Sequence, residues 1–117
     1  MKKILISDDS KSMRAMISAT LIAAKFSVDE AEDGLIALDM LKKSNYDLLL
    51  TDVNMPNMNG LELVKNVRQF NKNIPILVLT TESSDNMKSI GKVNGATGWI
   101  VKPFSPEKLI QVIQRVL

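Results

Sequence analysis

Carboxylates at Asp8, Asp9 and Asp52, a hydroxyl at Thr80 and an ammonium at Lys102 form a set that could act together on one substrate. Each follows a short apolar run: Ile4-Leu5-Ile6, Leu48-Leu49-Leu50, Leu77-Val78-Leu79 and Trp99-Ile100-Val101. As parallel strands of one α/β sheet, these runs would bring all four ends to one edge, where ligands of open sheets collect. Three carboxylates held there repel one another unless a cation joins them. A divalent ion with oxygen ligands relieves that repulsion, and Mg²⁺ suits a site of a few carboxylates and several waters. The chemistry such a set supports is phosphoryl transfer, in which catalysis is mostly positioning and charge neutralisation. Asp52 is the candidate nucleophile, becoming an aspartyl phosphate. A metal on Asp8, Asp9 and Asp52 would neutralise one phosphoryl oxygen, Lys102 would pair with a second, and the Thr80 hydroxyl would bond the third. Asn54, two residues after Asp52, could give its backbone carbonyl to the metal or its side chain to an attacking water.

Composition removes most competing chemistries. The chain has 117 residues, enough for one real core and too few for two, so it reads as a single domain over 1–117. Its 45% hydrophobic and 24% charged content is that of a globular protein. There is no cysteine and no histidine, which excludes disulfides, thiolate or imidazole metal sites, and Ser-His-Asp catalysis. Any metal must then be hard and oxygen-bound: magnesium, manganese or calcium. A net charge of +2 without a basic cluster argues against nucleic-acid binding. The apolar stretch before Asp8 is too short for a signal peptide and no run approaches a membrane span, so a soluble cytoplasmic protein is expected.

The elements that must position these residues follow from periodicity. Short apolar runs over 3–7, 26–31, 47–51, 74–79 and 97–101 read as strands, with Pro75 tolerated near the start of the fourth. Helical spacing recurs between them: Met13, Met16, Ile17, Leu21 and Ala24; Leu35, Leu38 and Leu41 at threes after Asp33-Gly34; and Leu61, Leu63, Val64, Val67 and Phe70. A weakly helical, polar stretch covers 83–93, and Ser105-Pro106-Glu107 opens a last helix with Leu109, Ile110, Val112, Ile113, Val116 and Leu117 on its apolar face. Five strands and five helices in alternation imply a parallel sheet with right-handed crossovers and helices on both faces.

Asp8-Asp9-Ser10, Thr51-Asp52-Val53-Asn54-Met55-Pro56 with Asn59-Gly60, Leu79-Thr80, Gly95-Ala96 and Lys102-Pro103-Phe104 resemble the receiver domain of two-component response regulators. The resemblance covers the whole chain, includes the spacings of 28 residues from Asp52 to Thr80 and 22 from Thr80 to Lys102, and lies nearest the free-standing CheY-like group. It implies a doubly wound, flavodoxin-like five-stranded sheet of order 2-1-3-4-5 with five helices. It implies Asp52 as phosphoacceptor, Asp8 and Asp9 as ligands of Mg²⁺ or Mn²⁺, Thr80 as switch hydroxyl, Lys102 as the family's lysine, and a cis bond before Pro103. Trp99 matches the switching aromatic, where a Tyr or Phe is more usual, and Asn54 and Glu82 match positions that tune dephosphorylation. The partners implied are a CheA-like histidine kinase and a downstream protein, such as a flagellar motor switch protein or a phosphotransfer domain. A monomer is expected, neither enzyme nor membrane protein. The output surface would comprise 84–93, 97–101 and 106–117, with Lys88, Lys92 and Lys108 giving a mildly basic tone and methionines such as Met55, Met58 and Met87 adaptable contacts. With no helix-turn-helix or enzyme domain following Leu117, signalling by protein binding is expected rather than transcription.

Alternatives remain. A phosphorelay intermediate differs from a chemotaxis regulator in phosphoryl lifetime, not in these motifs. A magnesium-dependent phosphohydrolase of the haloacid-dehalogenase type would carry its nucleophile on the first strand with an acid two residues later, where this chain has Asn54 after an acceptor on the third. A flavodoxin-like cofactor binder would meet repulsion between Asp8-Asp9 and the flavin phosphate.

Overall fold

Successive side chains of a strand point to opposite faces, so a strand apolar at every position must be covered on both sides. The computed structural model, which describes residues 1–81, 92 and 94–117, meets that demand. Its elements are β1 (Lys3–Ser7), α1 (Lys11–Ala23), β2 (Ser27–Ala31), α2 (Gly34–Lys43), β3 (Leu48–Asp52), α3 (Gly60–Arg68), β4 (Ile76–Thr80), β5 (Gly98–Val101) and α4 (Pro106–Val116). The strands form one parallel sheet in the order β2-β1-β3-β4-β5.

Alternation divides the core in two. Ile4, Ile6, Leu48, Leu50, Leu77, Leu79 and Ile100 pack with Ile17 and Leu21 of α1 and Leu109 and Ile113 of α4. Leu5, Leu49, Ile76 and Val78 pack on the other face with Ala37 and Leu41 of α2 and Leu63, Val64 and Val67 of α3. Burying each Leu or Ile contributes about 1.5–3 kcal/mol.

The fifth expected helix, over 83–93, falls almost wholly outside the described residues, among which four helices lie. The structure differs from the expectations in several places. The three-residue repeat in α2 does not define its inner face. A step of three falls short of a helical turn, so Ala37 and Leu41 are buried while Leu35 is 50% exposed. Met16 of α1 and Phe70, just past α3, are likewise exposed. Strand β4 begins at Ile76, after Pro75, which lacks an N–H but still accepts from the Leu49 amide at 3.0 Å. Lys25, with φ of 74°, turns the chain out of α1, and β2 starts at Ser27.

Side chains set the helix starts. Ser10, Asp33, Asn59 and Ser105 are N-caps, and Asn59 with Glu62 forms a reciprocal capping box. Asp33 does more than cap. Its Oδ1 accepts the Ile36 N–H at 2.9 Å and its Oδ2 accepts the Asn57 amide at 2.9 Å, joining the start of α2 to the loop after β3. The Ile36 N–H is the main cause that holds its carboxyl below the usual carboxylate range, with Asn57 assisting against the cost of burial. A depressed acid contributes stability above its unfolded pKa and loses it as pH falls through the folded one. Asp33→Ala is therefore expected to cost about 1–2 kcal/mol at neutral pH. In urea denaturation the difference should narrow below pH of about 4.

Candidate functional site

Register brings the strand ends level. Ser7 pairs with Thr51, so Asp8 stands beside Asp52, while Asp52 pairs with Leu79 and Thr80 with Val101. The Lys102 N–H donates to the Thr80 carbonyl at 2.7 Å, which ties the lysine to the end of β4. Asp8, Asp9, Asp52, Thr80 and Lys102 therefore share one edge, although Lys102 and Asp8 are 94 residues apart in sequence.

Carboxylate oxygens of Asp8, Asp9 and Asp52 all lie within 4.8 Å of one another. Asp8 is buried; its Oδ1 accepts the Ser10 N–H at 2.9 Å and its Oδ2 lies 3.3 Å from Lys102 Nζ. Asp52 is half-buried; its Oδ1 accepts the Val53 N–H at 2.8 Å and its Oδ2 lies 3.5 Å from the same ammonium. Asp9 is exposed. Burial raises the Asp52 carboxyl above the usual carboxylate range; Lys102 opposes the rise, Asp8 adds to it and the Val53 N–H opposes it. Among the described residues, one ammonium against three carboxylates leaves a net negative set of oxygen donors, which fits a hard divalent cation.

The loop after β3 is drawn tightly over this edge. Gly60 N–H donates to the Val53 carbonyl at 2.8 Å, and a Cβ at Gly60 would fall on the Asp52 carbonyl oxygen. Only glycine lets α3 start this close to the acid. Ser7 Oγ donates to Met55 Sδ at 3.1 Å, seating the same loop on β1.

Thr80 is fully buried at the end of β4 and Thr81 beside it is exposed. Asn54 is exposed in the loop that follows β3. Trp99 is half-buried opposite Val78, packed on the α2–α3 face and one residue out of phase with buried Ile100. The Lys102–Pro103 bond is cis. Glu82, Met87 and Lys88 lie outside the described residues; Lys92 and Lys108 are exposed. Arg14, which belongs to none of the motifs above, donates from Nη1 to the Asp8 carbonyl at 2.6 Å. Its signal was present: a cation in the first turn of a helix opposes the helix dipole and needs a reason to be there.

A family model for the response regulator receiver domain matches residues 4–114. The chain belongs to this receiver-domain family. The solved structure of the chemotaxis response regulator CheY4 of Vibrio cholerae is 51% identical with a TM-score of 0.96, covering 100% of this chain and 99% of that one. The chemotaxis protein CheY homolog of Campylobacter jejuni is 43% identical over 98% of this chain and 92% of its own length. The response regulator TrrA of Thermotoga maritima, solved with Mg(2+)-BeF, is 31% identical with a TM-score of 0.91 and full coverage of both chains. This receiver domain is thus CheY-like and of the two-component signalling type, with chemotaxis proteins among its relatives. Among its described residues no helix is long and apolar enough to cross a membrane.

Proposed function

We propose that this receiver domain is a phosphorylation-dependent switch that takes a phosphoryl group onto Asp52 from a histidine kinase of a chemotaxis-type pathway. The observation that carries the reading is the single ammonium shared by Asp8 and Asp52, at 3.3 and 3.5 Å, beside a third carboxylate. A carboxylate oxygen of Asp52 attacks phosphorus as the bond from phosphorus to the donor breaks, leaving an acyl phosphate on Asp52. Lys102 is within reach of a phosphoryl oxygen on Asp52, and the Thr80 hydroxyl, at the neighbouring strand end, bonds another. Asp8, Asp9, Asp52 and the Asn54 backbone carbonyl would hold Mg²⁺. The metal supplies neutralisation of charge on the transferring group. TrrA, solved with Mg(2+)-BeF, supports this choice of ion.

Trp99 and Thr80 sit on paired strands, which supports their acting together in the switch, and the output surface would run over β5 and α4 and the residues between 84 and 93. The CheY-type relatives, named as chemotaxis proteins, support a downstream protein target of chemotaxis type; the chain would act on it as a monomer in the cytoplasm.

The test is intact-mass spectrometry after incubation with acetyl phosphate, with and without Mg²⁺. A magnesium-dependent gain of one phosphoryl group is expected. No gain under either condition, in protein that binds Mg²⁺, would overturn the phosphoacceptor reading.

A further inference from the structure

Arg14 has no part in the chemistry described above, yet it reaches the backbone of the acid pair. Its Nη1 donates to the Asp8 carbonyl at 2.6 Å and its Nε donates to Glu30 Oε1, on β2, at 3.2 Å. The other oxygen of Glu30 accepts the Ser18 hydroxyl at 2.9 Å. The Arg14 side chain is 13% exposed and Ser18 is buried, whereas the Glu30 side chain is 42% exposed, so the guanidinium is sheltered while the carboxylate that braces it reaches water. On its other side the Asp8 N–H donates to the Ala31 carbonyl at 3.1 Å. The main chain at Asp8 is thus held from both sides, by β2 and by a guanidinium that β2 itself braces.

That matters for the next residue. The Asp8 carbonyl shares a rigid plane with the Asp9 N–H, so fixing the carbonyl fixes the direction in which Asp9 leaves the strand. Among the described residues no side-chain hydrogen bond or ion pair holds the Asp9 carboxylate, although it lies within 4.8 Å of its two partner acids. Among the described residues the peptide is therefore what directs it.

We propose that Arg14, braced by Glu30 and Ser18, is a positioning residue for the cation site, setting the Asp8–Asp9 peptide so that both carboxylates converge with Asp52. This rests on the Mg²⁺ reading above. Glu30 has a second effect: it neutralises the guanidinium, so the brace supplies geometry without adding net positive charge beside a divalent cation.

Charge and geometry give opposite signs, which makes the proposal testable by calorimetric titration of the full chain with MgCl₂. In Arg14→Met, which keeps an apolar stem in α1, the Mg²⁺ Kd is expected to rise about tenfold or more, the usual size of effect for a partner that orients metal ligands. In acetyl phosphate assays the Mg²⁺ concentration for half-maximal rate should rise with it, while the rate at saturating Mg²⁺ stays near wild type. An Arg14 acting only as a nearby charge would give tighter binding on removal, and one that merely fastens α1 to β2 would leave Kd unchanged; either result overturns the proposal. Ser18→Ala releases one anchor of Glu30 and should raise Kd about threefold. It decides the matter if circular dichroism shows Arg14→Met unfolded, an unchanged Kd again overturning the proposal. Failure of the wild-type chain to bind Mg²⁺ would remove the cation site itself. Wild-type binding with both variants unaltered would remove the brace alone.

Discussion

Asp52→Asn is expected to reduce the acetyl phosphate adduct by more than about a thousandfold, to the limit of detection in intact-mass spectrometry, while leaving the protein folded. The amide keeps the shape of the side chain and can still accept the Val53 N–H, now made at 2.8 Å to Oδ1, so the loop after β3 keeps its anchor. What it lacks is an anionic oxygen to form the new bond to phosphorus. Stability should move the other way. The Asp52 carboxyl is raised above its usual range chiefly by burial, so its ionised form is worse accommodated in the folded chain than in the unfolded one. An acid raised in this way disfavours folding once ionised, and the penalty fades as pH falls through the folded pKa. The metal-free Asp52→Asn protein should therefore melt at or above the wild-type temperature at neutral pH. Adduct formation at the wild-type rate in this variant would move the acceptor elsewhere.

Lys102→Met separates two duties of one side chain. The ammonium lies 3.3 Å from Asp8 and 3.5 Å from Asp52, with its side chain only 11% exposed. Asp8 is 2% exposed at its side chain and cannot turn to water when that partner is lost. The metal-free variant should lose up to about 3 kcal/mol in urea denaturation. Mg²⁺ should then bind more tightly than in wild type, because the cation no longer shares the carboxylates with a fixed positive charge, and should restore much of the lost stability. Phosphoryl transfer should nevertheless fall about 100- to 1,000-fold at saturating Mg²⁺, the usual cost of removing one preorganised group from developing charge. Tighter metal binding with slower transfer is the diagnostic pair. Unchanged transfer would mean that Lys102 balances the acids and has no place in the chemistry.

Much of this site is legible in the amino-acid sequence because its parts obey local rules. The Ser10 and Asp33 caps, Pro106 at the head of α4 and the turn residues after Asp52 each act on neighbours a few positions away. Expectation and structure part where a local rule is too coarse. The repeat of Leu35, Leu38 and Leu41 does not tell which of several helical stripes faces inward, since that depends on how α2 sits on the sheet. The start of β4 falls two residues later than its apolar run because Pro75 bonds to the ladder through its carbonyl alone.

The α/β alternation follows from the order of residues, since apolar runs and helical stripes are patterns of neighbours. That order also marks the acids, hydroxyl and lysine, which follow buried runs directly. What those groups touch is a matter of the folded sheet. That Lys102 is shared between Asp8 and Asp52, that Asp33 reaches Asn57 from 24 residues away, and that Arg14 holds the Asp8 carbonyl against β2 all depend on strand order and on registers such as Ser7 with Thr51. The physical reason is one of range. Secondary structure is chosen by backbone bonds and burial within a few residues, whereas a contact between strand ends is set by how the whole sheet stacks, which no short window of sequence contains.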